Sequence, residues 1–198
     1  MAEGRVALIV GASSGMGRAT ARAYAEEGMR VALAARNEKE LNALAGELGE
    51  AAIPCPCDVT QPESVDIAVA RVLEEFGAID ILVYATPPLE EPLEVTGPVV
   101  VKLWAASSAR DTDIVAKLID VWPDGFAQEL CYGIVRARYR DSFDQPSLIE
   151  PGRVYEYTIQ VNPTSNMFGP GHRIRLDISS SDFPNFDRNH NTGGDDYK

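Results

Sequence analysis

The hydrophobic rhythm of the chain changes once, near residue 84. Before that point, short unbroken apolar runs alternate with longer stretches in which apolar residues return every three or four positions. Val6-Ala7-Leu8-Ile9-Val10 is the first run and reads as a strand buried on both faces. A helical pattern follows through Arg18 to Glu27, and Gly28 stops it. Met29 to Ala35 supplies a second strand, Glu38 to Leu48 a second helix, and Ala51 to Cys57 a third strand. Pro62 to Phe76 is a third helix, with Thr60 or Gln61 near its start and Gly77 at its end; Ile79 to Tyr84 is a fourth strand. Such alternation predicts a parallel sheet with right-handed crossovers. From Pro87 the helical period fades, and short alternating runs sit between Pro, Gly and Asp turns. Leu93-Val95, Val99-Ala105, Asp113-Val121, Ala127-Cys131, Ile134-Arg138, Val154-Val161 and Arg173-Ser179 are the strand candidates, with a hairpin turn at Asp124-Gly125. Trp104, Trp122, Phe126 and the tyrosines are expected to pack between sheets.

The first strand and first helix are joined by Gly11-Ala12-Ser13-Ser14-Gly15-Met16-Gly17. Glycines here let the chain turn tightly and let a pyrophosphate approach the backbone, while the helix N-terminus offers unpaired amides and the positive end of its dipole. Gly11, Ser13, Ser14, Gly15, Met16 and Gly17 are therefore candidate phosphate-binding residues. On these residues, Val10 to Ala19 resembles the Gly-x-x-x-Gly-x-Gly fingerprint of the short-chain dehydrogenase/reductase family. The resemblance implies a nicotinamide nucleotide. Where NAD-preferring members carry an acid after the second strand, this chain has Ala35 and Arg36, which implies NADP with Arg36 on its 2′-phosphate. Asp58-Val59 matches the position that contacts adenine in that family.

This resemblance covers about residues 1–83 and then stops. The family's Asn-Asn-Ala-Gly is replaced by Tyr84-Ala85-Thr86-Pro87, and no tyrosine has a lysine four residues later; the nearest shape is Tyr132 to Arg136. Hydride transfer to a carbonyl needs such an acid and its lysine. The second part, about residues 81–194, resembles the C-terminal jelly-roll domain of the cocaine-esterase and X-Pro dipeptidyl-peptidase family. Leu93-Glu94-Val95-Thr96-Gly97-Pro98, Asp111-Thr112-Asp113, Arg136-Ala137-Arg138-Tyr139-Arg140, Pro170-Gly171-His172-Arg173-Ile174-Arg175-Leu176 and Ser179-Ser180-Ser181-Asp182-Phe183-Pro184 carry it. In that family the Ser-His-Asp triad lies on a preceding domain, and no Gly-x-Ser-x-Gly elbow occurs in this chain. His172 and His190, the only histidines, read as loop residues bonded to backbone. Asp111 and Asp113 are too few to complete a calcium cage. No catalytic residue and no metal ligand is assigned.

The fold class expected is α/β plus all-β: a Rossmann-type parallel half-sheet (1–84), then a jelly-roll β-sandwich (85–194). Residues 195–198 are set aside as a tag remnant. Asp80 to Tyr84 fits both patterns, as recombination at a shared string would leave it, whether in nature or in the laboratory. A formal charge of -12 over 198 residues argues against nucleic acid as a partner. There is no run of eighteen apolar residues and no signal-peptide pattern at Met1 to Arg5, which predicts no membrane association and a cytoplasmic protein. Cys55 and Cys57, two apart, read as buried strand residues rather than zinc ligands. A half-sheet cut after its fourth strand would expose an edge and apolar surface, to be buried by the other part or by copies of the chain, and a homo-oligomer is expected. Three functions fit: a recombined protein with a residual NADP(H)-binding loop and no complete catalytic centre; an NADP-dependent reductase with an acid re-supplied by Tyr84 or Tyr132; or an accessory module derived from a serine hydrolase.

Overall fold

A computed structural model describes residues 4–194; the expected tag remnant at 195–198 lies outside them. The first part runs β1 (Val6–Val10), α1 (Gly15–Glu26), β2 (Arg30–Ala35), α2 (Glu38–Leu48), β3 (Ala52–Pro56), α3 (Pro62–Phe76) and β4 (Ile81–Ala85). It continues as β5 (Leu93–Ala105), β6 (Asp113–Val121), β7 (Ala127–Arg136), β8 (Tyr155–Phe168) and β9 (Arg173–Ser179). Local chemistry fixes the helix ends. The Asn37 side chain accepts from the Glu40 amide at the start of α2. Pro62 opens α3, and Gly77, at φ 79°, closes it with a left-handed turn.

The parallel strands order as β3-β2-β1-β4, the arrangement that right-handed crossovers through α1, α2 and α3 require. The sheet does not end there. β9 pairs antiparallel with β4, from Ile81 opposite Ser179 to Ala85 opposite Arg175, and continues through β6 to β7. One seven-stranded sheet, β3-β2-β1-β4-β9-β6-β7, thus runs through both parts of the chain. This corrects the expectation of an unpaired edge beyond the fourth strand: β9 satisfies the outward backbone groups of β4, because β4 also suits the strand pairing of the second part.

Alternation along the strands sends residues to two faces. On one face α1 and α2 bury Ala7, Ile9, Val31, Leu33 and Val83. On the other, α3 covers Val6, Leu8, Ala32, Ala34 and Cys55. Farther along that second face, the two-stranded β5–β8 sheet packs on β9, β6 and β7, enclosing Ala116, Leu118, Cys131, Tyr157 and Ile159. Gly133 of β7 makes the approach possible, since a Cβ there would lie 2.3 Å from the Gln160 carbonyl oxygen. The α/β start and the antiparallel, strand-rich remainder are as the sequence predicts. Several separate strand candidates merge, however. Leu93-Val95 and Val99-Ala105 form one strand with an irregularity between Gly97 and Val99, and β7 likewise absorbs two candidates.

Trp104, Trp122 and Phe126 do not fill the inter-sheet core as expected. They are 62%, 42% and 57% exposed, because β5 alternates between core and solvent and the other two flank the Asp124-Gly125 turn. Tyr157 is the tyrosine that fills the core. Cys55, Cys57 and Cys131 are free and buried, and burial pushes the Cys55 thiol up to about 11. Among the described residues no helix is long and apolar enough to cross a membrane.

Candidate functional site

Parallel pairing aligns the C-terminal ends of β1, β2, β3 and β4 along one edge, with Val10 beside both Ala34 and Tyr84, and Ala35 beside Pro56. Ligands of open α/β sheets sit on that edge where the strand order reverses, which here is between β1 and β4. Gly11, Arg36, Asp58 and Thr86 each follow the end of one of these strands.

The glycines of the β1–α1 loop have separate physical roles. Gly11 adopts φ 87°, a backbone conformation that strains other residues. Its amide and that of Ala12 both donate to the Ala34 carbonyl, at 2.8 and 3.1 Å, which ties the loop to β2. Gly17 has no room for a side chain: a Cβ would fall 2.3 Å from the Gly11 carbonyl oxygen, so loop and helix touch through backbone. Gly15 begins α1 at φ 52° and is exposed. Ser14 precedes it as the helix cap, yet its hydroxyl makes no capping bond, and the first turn carries no acid. The helix start is therefore left with amides directed outward and no negative side chain to neutralise the dipole. Ser13 is half-buried beside it. Met16 lies in the first turn of α1.

Arg36 is exposed just past β2. Asp58 follows β3, and its Oδ1 accepts from the Thr60 amide (3.0 Å) and hydroxyl (2.8 Å). Those two bonds, in that order, hold its carboxyl below the usual carboxylate range, and the Arg36 charge adds to the effect. Arg36 and Asp58 are thus electrostatic neighbours. Val59 is 47% exposed beside them. The structure brings the loop, Arg36, Asp58 and Val59 to one edge of the sheet.

Arg173, at the start of β9, was not a site candidate in sequence terms. Because β9 runs antiparallel to β4, its first residue lies at the same edge as the glycine loop. Arg173 donates from Nη1 to the Thr86 carbonyl (3.1 Å), and its Nη2 lies 2.8 Å from where a Gly15 Cβ would stand. Thr86 holds this start of β9 in place: its hydroxyl accepts from the Ile174 amide, and its own amide donates to the Ile174 carbonyl. The signal available in the sequence was the double fit of Asp80 to Tyr84, which places a strand of the second part beside β4.

Other chemistry-bearing groups are engaged elsewhere. His172 is held differently from expectation: its side chain is paired with a carboxylate rather than with backbone, Nδ1 lying 2.8 Å from Oδ1 of the buried Asp120. Asn166 donates to the other oxygen of Asp120, and the Trp122 ring lies against the imidazole. Asp111 and Asp113, buried, bind Arg138 and Arg136 and both accept from Asn189. Tyr132 is on β7, the sheet edge opposite β3, and packs against Phe186 beside Lys117. It is therefore three strands away from β4, too far to supply an acid at the glycine loop. Tyr84, on β4 itself, is 38% exposed.

Comparison with known proteins finds relatives of two kinds. The family model for the X-Pro dipeptidyl-peptidase C-terminal non-catalytic domain matches residues 58–198, and the short chain dehydrogenase model matches residues 5–88. Cocaine esterase of Rhodococcus sp. (strain MB1 Bresler) is 56% identical over 115 residues, covering 58% of this chain and 20% of its own length. Sorbitol dehydrogenase of Cereibacter sphaeroides is 48% identical over 81 residues, covering 41% of this chain and 32% of its own. An aminopeptidase structure from a marine sediment Thaumarchaeota archaeon aligns at 42% identity with a TM-score of 0.56, covering 61% of this chain and 21% of that one. The chain spans at most about a third of these relatives. It belongs to the family of X-Pro dipeptidyl-peptidase C-terminal non-catalytic domains, joined through β4 to an opening segment like that of a short chain dehydrogenase.

Proposed function

We propose that the chain binds a nicotinamide dinucleotide, NADP(H) in preference to NAD(H), along the edge formed by β1, β2 and β3, and carries no complete catalytic centre of either parent family. The observation that carries this reading is the β1–α1 loop: Gly17 is forced by backbone contact, and the first turn of α1 lacks both a capping bond and an acid. Gly11, Ser13, Ser14, Gly15, Met16 and Gly17 would hold the pyrophosphate, Arg36 the 2′-phosphate, and Asp58 with Val59 the adenine. The bound group would supply hydride chemistry; the residues assigned here only bind and orient its adenosine end. The division at residues 84 and 85 between a nucleotide-binding part and a sandwich belongs to the same proposal.

Titration of NADPH and NADH, followed by nicotinamide fluorescence, tests it. NADPH is expected to bind more tightly, and Arg36→Ala to weaken NADPH about tenfold while leaving NADH unchanged, as loss of one charge-assisted bond predicts. An unchanged preference removes the 2′-phosphate role, and steady oxidation of NADPH by any of a panel of carbonyl compounds contradicts the absence of a catalytic centre.

We propose self-association as well, although β9 covers the sheet edge expected to drive it. Val100, Trp104 and Phe126 expose apolar surface on the second part. Light scattering after size exclusion is expected to give a mass above the monomer; a monomer at every concentration removes this part.

A further inference from the structure

We infer that Arg173, contributed by the esterase-like part, is a pyrophosphate-binding residue of the nucleotide site proposed above, so that the site is completed across the junction. The inference rests on that reading and adds to it a residue outside the short chain dehydrogenase-like segment, residues 5–88.

A guanidinium beside the start of a helix meets the positive end of the helix dipole, an unfavourable placement unless an anion lies between them. Arg173 is placed there: its Nη2 lies 2.8 Å from the position of a Gly15 Cβ, and Gly15 is the first residue of α1. No acid in the first turn offsets it. Nor does Arg173 join any ion pair among the described residues. Arg175, two residues later on the same face of β9, is handled differently. Its guanidinium is neutralised by Asp177 through bonds of 2.7 and 2.6 Å. Arg173 instead has the neutral Thr86 carbonyl, which takes Nη1 and fixes the direction of the group. In a chain of net charge -12, the loop is therefore a local concentration of positive potential. Two orienting features converge on it, outward amides from α1 and a tethered guanidinium from β9. A diphosphate group matches both, since its several oxygens accept from amides and from a planar fork at once.

The test uses the full chain with three probes: NADPH, ADP and adenosine. Arg173→Gln is expected to weaken NADPH and ADP about tenfold and leave adenosine unchanged, because adenosine has no phosphate. Arg173→Lys keeps the charge but not the fork and is expected to fall between. Far-UV circular dichroism and the urea midpoint of each variant check that the Thr86 tether is not needed for folding. Should Arg173→Gln fail to fold, the lysine variant alone decides, its loss for ADP but not adenosine being the supporting result. Binding of NADPH by Arg173→Gln as tight as, or tighter than, the native chain overturns the inference, since the guanidinium would then merely cover the loop. No saturable binding of NADPH by the native chain overturns the nucleotide reading itself, and this inference with it.

Discussion

At the scale of single residues, the junction depends on charged groups that burial makes demanding. Arg175 and Asp177 form a bidentate pair with side chains 11% and 17% exposed. Arg175 also reaches the Thr20 hydroxyl of α1 (3.4 Å), joining the second part to the first. Burial and the Asp177 charge together raise the Tyr24 phenol pKa beside them. Removing one member of such a pair leaves the other unmatched in a poorly solvated place. Asp177→Ala is therefore expected to destabilise the chain by about 3 kcal/mol. Urea unfolding reads this as a lower midpoint at unchanged slope; a change below about 0.5 kcal/mol would mean that the pair contributes nothing across the junction. The glycines were legible in the sequence because each had a backbone reason that spacing reveals. Arg36 and Asp58 were legible from their places after β2 and β3. Arg173 was not, since nothing near it in the chain refers to a phosphate; its role arises only when β9 and β4 are side by side. The same limit hid the pairing of His172 with Asp120, residues far apart in sequence.

At the scale of elements, periodicity located the strands and helices of the first part closely, with α2 and α3 matching their predicted bounds. Long unbroken patterns with strong stop signals make that possible. In the second part, strands were found but split, because Gly97 and Gly133 resemble turn residues. In the folded chain one sits at a register irregularity and the other at a close inter-sheet contact. The decisive element is β4. It pairs parallel with β1 on one side and antiparallel with β9 on the other, so it serves as an inner strand for both parts. Its apolar stretch Ile81-Leu82-Val83 satisfies two environments at once, which is why neither pattern is interrupted there. Asp80, just before it, accepts from the Val6 amide (2.8 Å) and fixes the start of β1. Sequence alone showed that β4 fitted two patterns. It could not show that both would be used in the same molecule.

At the scale of the whole molecule, a mixed seven-stranded sheet replaces two truncated domains with one continuous framework. Helices α1 and α2 lie on one face, while α3 and the β5–β8 pair share the other. This framework sets the glycine loop, Arg36 and Asp58 at one edge and brings Arg173 to it from the far end of the sequence. On the reading proposed above, this edge binds a dinucleotide with residues from both parts of the chain. Amide chemical shifts of the 15N-labelled protein, followed while NADPH is added, test it most directly. Saturable shifts are expected at Gly11 to Gly17, Arg36 and Asp58, accompanied by Thr86 and Arg173 across the junction. Shifts confined to the β5–β8 sheet, or none at saturating NADPH, would contradict it.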